Sequence, residues 1–316
     1  MRNSIAFIGD PHLSLNNPVN RIDDYFEASM NKLDEVMRNN EYIVDLGDLT
    51  NNPVLDTFAT LKLANRLKKY KEDGGHFISL IGNHNVYNWN TNTLNKTTLG
   101  LLNSLGLLEV LDTNAEGCIK SKIIDTDCKI TPVPLNFNKN ELPKADKEYR
   151  INILVGHAFY AYERDKKHSL DYEHLKDLGY DYIFFGHDHA YYKPLNIGDN
   201  SILYRPGSLT RTTKHAYNMT RKIVYYQYDI DNETVEEKTI KCAKPINEIF
   251  PQEVIDEKSD NSPEYLVDIE DLLDQLATRK VGTLSIRKML EDNPEVPEDV
   301  FNFICWCHEE CNLDFV

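Results

Sequence analysis

Apolar and polar positions change period several times along the chain. SIAFIGD (4–10) is a short apolar run that stops at Gly-Asp, the pattern of a buried strand. In RIDDYFEASMNKLDEVMRN (21–39), Ile22, Phe26, Met30, Leu33 and Met37 recur at helical spacing. YIVDLGD (42–48) reads as the next strand. PVLDTFATLKLANRLKKYK (53–71) reads as the next helix, with Pro53 suited to an early helical position. GHFISLIGNH (75–84) is strand again, and this alternation predicts βαβ units with largely parallel strands.

The second half changes character. INILVGH (151–157) and YDYIFFGHDH (180–189) predict strands, with a helix at DYEHLKDLG (171–179) between them. SILYRPGS, RKIVYYQYDI and TVEEKTIK read as short β segments near turns. The fold class expected is therefore α/β (mixed α+β): two packed β-sheets flanked by helices in four layers, with a small helical C-terminal module. The polar stretch 255–264 reads as a linker, and 264–280 and 296–312 as helical. The division expected is a catalytic domain over 1–245 and a capping or partner-docking module over 246–316.

The chemistry lies in what ends the strands. GDPH supplies Asp10 and His12, and GD supplies Asp48. GNH supplies Asn83 and His84, GH supplies His157, and GHDH supplies His187 and His189. Each run of apolar residues stops at a glycine followed by a group able to bind a metal. The carboxyl ends of parallel strands line one crevice, so these groups can converge there. Carboxylate, carboxamide and imidazole without thiolate suit Mn²⁺ or Fe²⁺, with Zn²⁺ compatible. They are too many for one ion and about right for two. Two ions roughly 3.5 to 4 Å apart can share a carboxylate, activate water and clamp a phosphoryl oxygen. Asp48, at the middle strand end, is the natural bridge. His187 and His189, two apart in an extended segment, should point the same way, and Asp188 the other way.

Composition narrows the setting. The chain has 316 residues, 41% hydrophobic, and a formal net charge of -16. That charge repels nucleic acid at long range and argues against a protein that simply coats DNA. It leaves room for an enzyme that grips phosphate locally, since two divalent ions add four positive charges. No long apolar segment suggests a membrane span. The six cysteines show no secreted-framework spacing, so a cytoplasmic setting is expected, or that of a viral protein acting in a host cytoplasm.

The ordered set Asp-x-His, Gly-Asp, Gly-Asn-His, Gly-His and Gly-His-x-His resembles the calcineurin-like metallophosphoesterase superfamily over roughly residues 4 to 215. The resemblance implies that Asp10, His12, Asp48 and His189 hold one ion and that Asp48, Asn83, His157 and His187 hold the other. It makes His84 a catalytic group near the leaving oxygen rather than a ligand. Within the superfamily the chain looks most like the SbcD-type nucleases of double-strand-break repair, through GDLTNNPVLDTFATLKLANRLKK and YRPGSLTR. That implies hydrolysis of phosphodiester bonds at DNA ends with two Mn²⁺ ions and an SbcC-type coiled-coil ATPase as partner. A homodimer is compatible with it. In one departure, Asn85 stands where the family often has an acid. In another, the tail has room for only one of the two accessory modules usual in these nucleases.

DNA contacts are expected from Arg205, Arg211 and Lys214, with Arg164, Lys166 and Lys167 as further cations at the rim. Tyr160, Tyr162, Tyr191 and Tyr192 could stack on bases or simply pack. CWCHEEC (305–311) reads as an apolar helix face, and His76, His168, His174 and His215 as structural or surface residues. Two other functions use the same fold. One is a phosphatase or small-molecule phosphodiesterase, although GDLTNN lacks the Arg that protein phosphatases carry soon after the second Gly-Asp. The other is a non-catalytic scaffold, which would be expected to have lost ligands.

Overall fold

The computed structural model describes residues 3–113, 118–163, 165–198, 200–213 and 216–256. The expected helices of the tail and its three cysteines lie outside them. In chain order the first half contains β1 (Ser4–Ile8), α1 (Tyr25–Asn39), β2 (Tyr42–Asp45), α2 (Thr57–Glu72), β3 (His76–Leu80), α3 (Thr98–Ser104), β4 (Glu109–Leu111), β5 (Lys122–Ile124) and β6 (Cys128–Val133). The second half contains β7 (Ile151–His157), β8 (Phe159–Tyr160), β9 (Ser169–Leu170), α4 (Tyr172–Leu175), β10 (Tyr182–Gly186), β11 (Tyr192–Ile197) and β12 (Ser201–Arg205). It closes with α5 (Ala216–Thr220), β13 (Val224–Asp229), β14 (Thr234–Thr239) and α6 (Gln252–Asp256).

Two six-stranded sheets form, in the orders β14-β13-β1-β2-β3-β4 and β11-β12-β10-β7-β6-β5. The run β1-β2-β3-β4 of the first sheet and β12-β10-β7-β6 of the second are parallel, and β13, β14, β11 and β5 are added antiparallel. Alternation along each central strand decides which layer a side chain joins. In β1, Ile5 and Phe7 face the other sheet, while Ala6 and Ile8 face the helices. Phe7 stacks flat on Phe184 of β10, centroids 3.8 Å apart, so the inter-sheet core is closed by aromatic contact. The outer face of the first sheet packs on α1, α2 and α3, and that of the second on α4. The result is the four-layer sandwich that the alternating pattern predicts.

Two helix starts differ from expectation. α1 begins at Tyr25, because Asp24 is extended and its side chain accepts the Glu27 N–H as an N-cap, an interaction worth about 1 kcal/mol. Ile22 therefore falls outside the helix and is 61% exposed; its N–H donates to the Ile249 carbonyl. α2 is capped in the same way by Asp56, so Pro53 lies ahead of the helix, where its carbonyl accepts from Thr98 N. Further on, Ile249 and Phe250 are buried. Among the described residues no helix is long and apolar enough to cross a membrane.

Candidate metal centre

The loops leaving β1, β2, β3, β7 and β10 at their carboxyl ends bring the sequence-predicted ligands together. Three groups have ligand atoms all within 4.8 Å of one another: Asp10, His12 and His189; Asp48, His157 and His187; and His12, Asp48 and His84. Nε2 of His12 lies 2.8 Å from Nε2 of His189. Nε2 of His157 lies 3.0 Å from Asn83 Oδ1 and 3.3 Å from Asp48 Oδ2. Asp48 Oδ2 also lies 3.9 Å from His12 Nε2, so this one carboxylate stands between the two sets.

The backbone is bent to achieve this. Asp10, His12, Asp48 and His187 all have positive φ, at 43°, 45°, 55° and 84°. Such left-handed conformations are costly in residues other than glycine. For His187 this corrects the expectation of an extended segment. β10 ends at Gly186, and the chain turns at His187 because its N–H donates to Asp10 Oδ1 at 2.8 Å. The two histidines fall in different clusters: His187 sits with His157, and His189 with His12. Asp188 caps its own loop by accepting from Ala190 N.

Close approach of backbone to ligand explains two glycines. A Cβ on Gly47, whose φ is +108°, would lie 2.4 Å from His157 Nδ1. Without it, His157 Nδ1 donates to the Leu46 carbonyl at 3.0 Å, leaving Nε2 to face the other ligands. A Cβ on Gly82 would lie 2.1 Å from Asp48 Oδ1.

The protonation states of three histidines and Asp48 suit a cation, while His157 and Asp10 would each give up a proton to one. Burial drives His12, His187 and His189 well down, His189 to about 3, so each is a neutral imidazole with a free lone pair. Burial alone would raise Asp48, but His157, His84 and His12 around it hold its carboxyl well below the usual range. Burial likewise opposes charge on His157, and the Asp48 and Asp10 carboxylates overcome it, lifting the imidazole to about 9. Burial pushes Asp10 up to about 7. Asp10 Oδ2 and His187 Nε2 are buried with no hydrogen-bond partner. Orphaned acceptors of this kind, converging with neutral imidazoles, are what two divalent cations would satisfy. The donor set is oxygen and nitrogen only, and the clusters fit a dinuclear site.

His84 sits beside this set. It is buried, its Nδ1 pairs with the Asn51 carbonyl at 2.8 Å, and its ring stands perpendicular to His12 at 4.8 Å. Its N–H donates to Asp48 Oδ1 at 2.8 Å. Asn85, the departure from the family pattern, is fully buried. Its Oδ1 accepts from Asp48 N and Gly82 N, and its Nδ2 donates to Thr50 Oγ1.

The cations predicted for DNA fare differently. Arg211 is a correction: it is buried, with Nε and Nη2 donating to the Asn218 and Arg221 carbonyls, so it has no face to offer a phosphate. Arg205 is half-buried, its guanidinium over the Tyr192 ring at 3.8 Å and the Tyr160 ring at 5.2 Å. Lys214, Arg164 and His215 lie outside the described residues. Tyr162 stacks on Phe159, and the Tyr191 hydroxyl donates to Glu237, so both pack within the protein.

Sequence reasoning missed Trp89, Phe159 and His168, which gather around His187, and the bonds made by Ser208. Ser208 Oγ donates to the Asp10 carbonyl at 2.7 Å, and its N–H donates to the His189 carbonyl. No spacing signals these contacts, because each joins segments far apart in the chain.

Among solved structures the chain is similar to TT1561 of Thermus thermophilus, with 10% identity, 76% of this chain and 100% of that one covered, and a TM-score of 0.47. It is also similar to a dimetal phosphatase from Danio rerio, with 8% identity, 75% and 95% covered, and a TM-score of 0.49. No curated protein matches it. The family model for calcineurin-like phosphoesterase matches residues 4–191, the stretch that carries every one of the gathered ligands, and the chain belongs to that family.

Proposed function

We propose that the chain is a dinuclear-metal nuclease that hydrolyses phosphodiester bonds at DNA ends, as the nuclease partner of an SbcC-type coiled-coil ATPase. The observation that carries the chemistry is the intact double set of ligands meeting at Asp48, with His84 alongside. Two divalent ions, for which Mn²⁺ fits the donors, supply Lewis acidity to the phosphoryl oxygens and lower the pKa of a water. The protein's own residues do the rest. Asp48 orients His84 by accepting its backbone N–H. His84, its Nδ1 paired to the Asn51 carbonyl, is the group that would hold a proton near the departing sugar oxygen. Pro206-Gly207-Ser208, the stretch that resembles SbcD-type nucleases, supports the narrower reading because Ser208 is bonded to the Asp10 and His189 loops.

A second reading, a phosphatase or small-molecule phosphodiesterase, draws on two observations: the net charge of -16 and the internal commitment of Arg211. One assay separates them. The purified protein is incubated with Mn²⁺ and end-labelled duplex DNA, single-stranded DNA, a chromogenic phosphodiester or a chromogenic phosphomonoester. The nuclease reading expects shortened DNA; turnover of a small ester with intact DNA sinks it.

A further inference from the structure

We propose that Trp89, backed by His168 and Asp165, is a positioning brace that aims the His187 imidazole at its ion, an inference that rests on the two-ion reading. A metal-binding histidine is ordinarily oriented by a hydrogen bond from its other ring nitrogen. His157 has such a bond to Leu46. Among the described residues none is made by the His187 ring, and its Nε2 is buried without a partner. The ring is instead walled by aromatic groups. Phe159 lies 4.0 Å away between centroids, His157 4.5 Å, and Trp89 5.7 Å with its plane at 83°, an edge-to-face contact.

Trp89 reaches this place at a cost. Asn88 and Trp89 are consecutive left-handed residues, with φ of 53° and 57°, and a bulky side chain rarely adopts that conformation. Several contacts hold it there. Asn136 Nδ2 donates to the Trp89 carbonyl at 2.9 Å, and the indole stacks on His168 with centroids 3.8 Å apart and planes within 20°. His168 is itself anchored, since Nδ1 lies 3.1 Å from both Asp165 oxygens and its N–H donates to Asp165 Oδ1. The His168 carbonyl accepts from Phe159 N at 3.0 Å. Two of the three aromatic walls of His187, Trp89 and Phe159, therefore stand on one residue, and strain in the loop after β3 is matched by contacts that converge on the ligand that follows β10. Ordinary core packing would explain the stack but not why it closes around an imidazole neither of whose nitrogens makes a hydrogen bond among the described residues, whereas His12, with Nδ1 likewise unpartnered, has its Nε2 against His189.

The test is binding of Mn²⁺ to the full chain, followed by calorimetry and by the electron paramagnetic resonance of the bound ions, with metal-free melting measured alongside. Wild type is expected to bind two ions. Trp89→Ala should leave one ion at wild-type affinity and weaken the other by roughly 10- to 100-fold, the range for removing an outer-shell partner. Trp89→Phe should recover most of the loss. His168→Ala, which keeps the indole but removes its backing, should weaken the same ion, and it decides the matter if Trp89→Ala does not fold. Two ions at wild-type affinity in these variants, or equal weakening of both, overturn the brace. Wild type binding fewer than two ions overturns the reading on which it rests, and that is seen before any variant is made.

Discussion

Asn85→Ala should be among the most damaging single changes outside the ligands themselves. The side chain is fully buried, and its Oδ1 takes the N–H of Asp48 at 2.9 Å and of Gly82 at 3.0 Å. Truncation leaves both backbone donors buried without an acceptor, at about 1–3 kcal/mol each. It also removes the 3.2 Å bond to Thr50, a weaker loss because Thr50 still donates to the Asn52 carbonyl. The sum is on the order of 3–5 kcal/mol of stability in the metal-free protein. Asn85→Asp is the informative comparison. A neutral carboxyl still accepts from both N–H groups and can donate to Thr50, while an ionised one adds a charge buried beside Asp48. Asn85→Asp should therefore cost about 1–2 kcal/mol where that carboxyl is protonated and more as pH rises above its pKa.

Urea unfolding of both variants in a chelator, followed by circular dichroism, reads these differences directly. The same change should weaken both ions, since Asp48 loses the acceptor that fixes its backbone. If Asn85→Ala costs less than about 1 kcal/mol, or if Asn85→Asp at a pH that keeps its carboxyl protonated costs as much as Asn85→Ala, the clamp is not what holds the two ligand loops.

Other consequences follow from the same geometry. His84→Ala should lower turnover by roughly 10²- to 10⁴-fold while metal analysis still finds both ions; full turnover would remove its role in proton transfer. Gly47→Ala places a Cβ 2.4 Å from His157 Nδ1 at a φ of +108°, so it should break the bond to Leu46 and cost the ion held by His157, read as reduced stoichiometry. Lys32 is buried, and burial, with Arg21, Arg211 and Arg221 nearby, lowers its ammonium from 10.5 to about 7. The unfolded chain then binds more protons between pH 7 and 10.5, so this group's contribution to stability rises with pH there, and its full cost is present below 7. Lys32→Met should accordingly stabilise the protein at pH 6 by on the order of 2–4 kcal/mol and much less at pH 10, as measured by urea midpoints.

Much of the site was legible because strand ends carry its chemistry in local sequence. An apolar run, a glycine and a polar group within a few residues locate a ligand, and parallel pairing brings such ends together without further information. Helix boundaries were less legible. Ile22 fits the apolar rhythm of α1, but Asp23 is drawn into a fork with the Arg21 guanidinium, and Asp24 caps the helix so that it starts at Tyr25. Arg211 read as a phosphate contact because it follows Pro-Gly-Ser. Its burial depends on carbonyls of Asn218 and Arg221, which no pattern near Arg211 announces. Trp89 was invisible for the same reason, since its partners His168 and His187 lie some eighty to a hundred residues further along.

The strained ligands bear on how the two clusters communicate. Four of them occupy left-handed backbone, at about 1–3 kcal/mol each, and each is held by a group belonging to another loop. His12 N donates to the Asp48 carbonyl, Asp48 N donates to Asn85, and Ser208 Oγ donates to the Asp10 carbonyl. Asp10 has the clearest double part: Oδ1 accepts the His187 N–H, Oδ2 is buried without a hydrogen-bond partner, and the carboxylate gathers with His12 and His189. A carboxylate that belongs to one cluster and accepts the backbone N–H of a ligand in the other cannot be removed from one alone. Asp10→Ala should therefore weaken the ion held by His187 as well as its own, whereas His189→Ala, which breaks no bond to the His187 backbone, should spare it. Calorimetric titration of both variants with Mn²⁺ checks this. Equal indifference of the second ion to the two changes would show clusters that share Asp48 and nothing more.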